Sequence, residues 1–185
     1  MATQLLLLRH GSAAEEEPKP LTKEGEDEAT YAANALLAYL ELKSEFLPRH
    51  ADGTPVAVTL FHSGKERAAQ TALIVAGKLK EAGCDVTEQA SAEELSPNAE
   101  PAAAHKLVEG ASTPLVVMVG HLPHLHKLAA ALGVEQTSAD IFTPAGGVLL
   151  HRSDATWALA HVCANGVNWW MRGVSVHIRA DANED

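Results

Sequence analysis

Leu5–Leu8 is an unbroken apolar run that stops at Arg9, His10 and Gly11. A run this short, with no polar alternation, predicts a strand buried on both faces, over Gln4–Leu8. Val56–Phe61 and Leu115–Val119 repeat the pattern, and Asp85–Gln89 reads as a shorter strand. Between them the spacing changes to that of a helix. Thr22 is a plausible N-cap, acids fill the first turn, and Ala29, Ala32, Ala33, Leu36, Leu37 and Leu40 share one face of a helix reaching about Lys43. A second helix is expected from Lys65 to about Ala82, with Ser63 as its N-cap and Gly83 as its stop. Ala99–Glu109 and the stretch from Pro123 to Leu132 give two more, and each ends at a glycine. Gly147–His151 and Thr156–Val162 read as two further strands around a Ser153-Asp154 turn. Ser12–Lys19 and Pro48–Pro55 read as loops.

Strands that alternate with helices predict a three-layer α/β/α sandwich with a mainly parallel sheet. The 185 residues suit a single domain over 1–185. Hydrophobic residues make up 46% but aromatics only 4%, so Ala and Leu fill the core, which favours helices packed on a sheet over a β-sandwich. The net charge of −10 argues against a nucleic-acid surface and against an anionic membrane. Cys84 and Cys163 lack both the number for a disulfide framework and the spacing for a metal site. Reduced thiols, the absence of a basic leader segment and the absence of any span-length apolar run together suggest a cytoplasmic protein.

In a parallel α/β sheet, ligands bind beyond the carboxyl ends of the strands. Three strand ends bring chemistry there: Arg9, His10 and Gly11; His62, Ser63 and, one helical turn later, Arg67; and Gly120-His121-Leu122-Pro123. Arginine suits bidentate recognition of phosphate, and histidine is a nucleophile at neutral pH. The convergence predicts phosphoryl transfer through a phosphohistidine on His10. One ring nitrogen would be fixed by a backbone carbonyl, and Arg9, Arg67 and His121 would hold the phosphoryl oxygens. Gly11 and Ser12 are candidate backbone donors to phosphate, and Ser63 a candidate side-chain contact. The fixed cations would stand in for Mg²⁺, so no metal or other cofactor is expected. His121, His124 and His126 are not spaced as an i, i+4 pair, and no acid completes a metal set.

These residues resemble the histidine phosphatase (phosphoglycerate mutase-like) superfamily. Arg9-His10-Gly11 matches its defining tripeptide, and Ser63-Gly64-Lys65-Glu66-Arg67-Ala68-Ala69-Gln70-Thr71 matches its segment around the second arginine. His121 matches its second histidine, and Pro20-Leu21-Thr22-Lys23-Glu24-Gly25 its Leu-Thr-x-x-Gly helix start. The short chain, Gly120-His121-Leu122-Pro123 and Glu93-Glu94-Leu95-Ser96-Pro97 look most like the SixA-type phosphohistidine phosphatases. Gly64 departs from the usual proline, Ser12 stands where an acid often follows the tripeptide, and the tail with Trp169-Trp170 matches no motif.

The resemblance implies a phosphoglycerate mutase-like fold and removal of phosphate from the phosphohistidine of a signalling protein. A carboxylate proton donor is the family's usual device for alkoxide leaving groups; Glu94 is the nearer match here and Glu93 its neighbour. Two alternatives stand beside this: a phosphatase for a small phosphorylated metabolite, and a catalytically idle phosphate-binding or interaction domain.

Overall fold

The computed structural model describes residues 2–42, 53–134, 139–153 and 156–163. The Trp169-Trp170 tail, most of the Pro48–Pro55 loop and the Ser153-Asp154 turn lie outside the described residues or at their edge. The elements are β1 (Gln4–Arg9), α1 (Lys23–Leu42), β2 (Ala57–His62), α2 (Glu66–Glu81), β3 (Asp85–Ala90), α3 (Pro101–Gly110), β4 (Leu115–Gly120), α4 (His124–Ala131), β5 (Gly147–Ser153) and β6 (Thr156–Cys163). A short 3-10 helix, Ala139–Phe142, precedes β5.

The strands form one six-stranded sheet in the order β3-β2-β4-β1-β5-β6. β1, β2, β3 and β4 run parallel, while β5 and β6 add on antiparallel. The apolar runs explain this arrangement. Leu6 and Leu8 point to one face, where they pack with Ala32, Leu36 and Leu40 of α1 and Val75 and Leu79 of α2. Leu5 and Leu7 point to the other, where they meet Val108 of α3 and Leu125 and Leu128 of α4. Both faces are covered, as a continuous apolar strand requires. The predicted three layers are present.

Element ends differ from expectation by one or two residues, and one difference carries meaning. Each of β1, β2 and β4 extends one residue further than its apolar run, through Arg9, His62 and Gly120. Arg9 pairs with Gly120 across the β1–β4 ladder, so the chemistry-bearing loops leave the sheet at one level.

Candidate active site

His10 leaves the end of β1 with its ring fixed. Its Nδ1 lies 2.7 Å from the Gly11 carbonyl oxygen, which can only accept, so Nδ1 carries the proton. Nε2 therefore holds the lone pair, and the Arg67 Nε–H donates to it at 3.0 Å. Burial, together with the guanidiniums of Arg67 and Arg9, holds the His10 pKa down to about 4, against the opposing pull of the Gly11 carbonyl. At neutral pH the ring is uncharged and nucleophilic.

His121 follows β4 and is buried, its ring centroid 4.9 Å from that of His10. Its Nε2 shares a 2.6 Å hydrogen bond with the buried Ser63 hydroxyl. Burial above all, then the neighbouring His10 and Arg67, lowers its pKa to about 3. Arg9 is half-buried and donates through Nη1 to the Phe142 carbonyl at 2.9 Å. Burial lowers its pKa, Glu28 raises it, and Arg67 lowers it. Arg9, His10, Ser63, Arg67 and His121 thus meet beyond the carboxyl ends of β1, β2 and β4.

Several expectations need correction. Ser63 does not cap α2. The N-cap is Lys65, which has no side-chain cap bond, and Gly64 in the left-handed region (φ 75°) turns Ser63 away towards His121. The Gly11 and Ser12 amides, candidate donors to phosphate, already have partners within the fold. The Gly11 N–H donates to Thr71 Oγ1 at 3.1 Å, and the Ser12 N–H to Glu28 Oε2 at 2.7 Å. The Ser12 hydroxyl also bonds Glu28, at 3.0 Å. Gly11 instead serves close packing: a Cβ there would lie 2.5 Å from the Gly25 carbonyl oxygen, and one on Gly25 would overlap the Ser12 carbonyl.

Glu94 is half-buried on the segment after β3 and forms no hydrogen bond or ion pair among the described residues; Glu93 is exposed. Their segment does border the strand ends, since Cβ atoms on Gly64 and Gly120 would lie 3.6 Å from Ala92 and 3.8 Å from the Leu95 carbonyl. His62 is buried and satisfied, accepting the Gly64 N–H at 3.2 Å on Nδ1 with Glu88 3.6 Å from Nε2. No group of three or more metal-binding side chains comes together among the described residues.

Sequence reasoning missed the residues that act through backbone groups. Thr71 receives the Gly11 amide, Gln70 Oε1 receives the Leu21 amide at 2.6 Å, and Glu28 receives the Ser12 amide. The Arg67-Ala68-x-Gln70-Thr71 stretch is thereby explained. One face of α2 holds the imidazole and two points of the β1–α1 connection.

No protein-family model matches the chain, and no curated protein does. Solved structures do match. A protein described as a SixA phosphohistidine phosphatase, from Agrobacterium tumefaciens, is 22% identical, with a TM-score of 0.58 over 90% of this chain and 100% of that one. The protein histidine phosphatase SixA complexed with tungstate is 19% identical, with a TM-score of 0.58 over 87% of this chain and 96% of that one. A phosphoglycerate mutase from Bacillus anthracis is 15% identical, with a TM-score of 0.56 over 85% of this chain and 91% of that one. The chain therefore has the α/β/α sandwich fold shared by SixA-type and phosphoglycerate mutase-like histidine phosphatases.

Proposed function

We propose that this protein is a metal-independent phosphatase that works through a phosphohistidine on His10, with the phosphohistidine of a signalling protein as substrate. The observation that carries the reading is the state of the His10 ring. Nδ1 is committed to the Gly11 carbonyl, so the Nε2 lone pair is the one that meets Arg67, with the His121 ring centroid 4.9 Å from that of His10. An arriving phosphoryl group takes over the Arg67 donor that now rests on Nε2, and Arg9 and His121 complete a cationic and hydrogen-bonding cradle. The uncharged His121 becomes a better donor once the phosphoryl dianion raises its proton affinity.

In the first step Nε2 bonds to phosphorus and the bond to the leaving group breaks. The leaving group departs with a proton. In the second, water attacks phosphorus, the N–P bond breaks, inorganic phosphate leaves, and the water's proton returns to the group that supplied one. A leaving imidazole is neutral once protonated and needs less acid assistance than an alkoxide. Glu94, without a bond into the cluster, suits that lower demand. The structural likeness to SixA proteins, one of them holding the oxyanion tungstate, supports the same reading. With two cysteines, too few for a disulfide framework, the reaction is taken to be cytoplasmic. No helix of the described residues is long and apolar enough to cross a membrane.

A second reading, hydrolysis of a small phosphate monoester with Glu94 as proton donor, draws on the position of the Ala92–Leu95 segment against Gly64 and Gly120. A substrate panel separates the two. Release of phosphate from a phosphorylated histidine-phosphotransfer protein, lost in His10→Ala, supports the first. Turnover confined to monoesters and abolished in Glu94→Gln replaces it with the second. No turnover of either leaves an idle phosphate-binding domain.

A further inference from the structure

The Gly11–Ser12 peptide group stands between an imidazole and a carboxylate. Its carbonyl accepts the His10 Nδ1–H at 2.7 Å, and its N–H donates to Glu28 Oε2 at 2.7 Å. The peptide is trans, so the two bonds leave it in opposite directions along one dipole. Hydrogen bonds at the two ends of a polar group strengthen one another. The bond to Glu28 is also charge-assisted, since a carboxylate is the acceptor.

The position of Glu28 is built into the fold. Gly25 lets the first turn of α1 press against Gly11 and Ser12, where a Cβ on Gly11 or on Gly25 would collide with backbone. Thr22 caps that turn, accepting the Gly25 amide at 3.1 Å, and its own N–H donates to the Ser12 carbonyl at 2.9 Å. Glu28 follows Gly25 by three residues and shares its face of the helix. Its second oxygen accepts the Ser12 hydroxyl at 3.0 Å, so both oxygens grip one residue.

We propose that Glu28 is a positioning residue that orients and electrostatically supports the His10 nucleophile through the Gly11–Ser12 peptide group. The arrangement is a carboxylate–imidazole pair with one peptide unit interposed. As Nε2 bonds to phosphorus, positive charge develops on the ring. A carbonyl polarised by a carboxylate behind it stabilises that charge more than it stabilises the neutral resting ring. The interaction therefore favours the transition state over the ground state. The same carboxylate favours the charge of Arg9, offsetting burial. The proposal rests on His10 as the nucleophile of the proposed function.

Glu28→Gln tests it, because glutamine keeps the size and an acceptor for the Ser12 amide but removes the charge. The expected result is a fall in kcat of about tenfold to a hundredfold, the size of effect that outer hydrogen-bond partners have on metal-bound histidines, with KM unchanged. In the free protein, the His10 Nδ1–H resonance moves upfield in the proton NMR spectrum as its acceptor weakens. Ser12→Ala keeps the Ser12 amide and leaves that resonance in place. An unmoved resonance in Glu28→Gln overturns the proposal, and so does an equal shift in Ser12→Ala, which would assign the effect to the hydroxyl. A loss in Glu28→Gln confined to KM also overturns it. The resonance needs no substrate. If it shifts as expected while the wild type turns over no phosphorylated compound, the proposed function fails and the link between Glu28 and His10 stands.

Discussion

The two sides of the histidine pair are held in different ways. On the β1–α1 side, every polar group from Arg9 to Ser12 named above has a partner: Phe142 for Arg9, Gly11 and Arg67 for His10, Thr71 for Gly11, Glu28 for Ser12. On the β4–α4 side, His121 has Ser63 on one nitrogen, while its Nδ1 and both nitrogens of the fully buried His124 have no partner among the described residues. The His10 side is held by hydrogen bonds to backbone groups, and the facing side is set by apolar packing around Leu125 and Leu128. The difference fits a division of labour in which one histidine must be aimed and the other need only donate to a bound oxyanion.

The largest test of this contrast is Arg67→Ala. It removes the donor on His10 Nε2 and one cation of the cradle, and should lower kcat about 10²- to 10³-fold in steady-state assays. A loss as small as that of a surface substitution would remove Arg67 from the site. Gly25→Ala comes next. Its Cβ meets the Ser12 backbone, which cannot move without opening the aimed side, so destabilisation of about 1–3 kcal/mol is expected from the denaturant midpoint. Thr71→Val, which leaves the buried Gly11 amide without its acceptor, should cost about the same.

Acid titration probes both sides at once. His10 and His121, lowered to about 4 and about 3, bind fewer protons in the folded state than in the unfolded chain between those values and the unperturbed pKa of ~6.5. Their contribution to stability is therefore present above pH ~6.5 and is lost as pH falls towards 4 and 3. His121→Asn should flatten that part of the stability curve. The smallest effect is expected from His124→Leu. Replacing a buried, unpartnered imidazole with an apolar side chain should leave the melting temperature unchanged or raise it. A large loss would show that His124 has a polar partner and that the second side is as organised as the first.

The sequence exposed the parts of this site that depend on position along a strand. Arg9, His10 and His121 stand where apolar runs end, and Arg67 one helical turn beyond another, so topology alone brought them together. It hid the parts that depend on one atom meeting a backbone group. Glu28 looks like any acid in a helix, and Thr71 like any core threonine, until the Gly11 and Ser12 amides point at them. Ser63 has the residue type of a cap but not its place, because the left-handed turn at Gly64 separates it from the helix and is invisible in composition. The strand order was also beyond reach, since nothing in the local pattern says that β4 lies between β1 and β2.

Phosphorylation of His10 Nε2 is tested by mass-spectrometric trapping of the phosphoenzyme after brief exposure to phosphoramidate. The expected product is a phosphoryl group on His10, linked through Nε2, labile to acid and stable to alkali, and absent in His10→Ala. A label that survives in His10→Ala, one linked through Nδ1, or one labile to alkali like a carboxyl phosphate would contradict it.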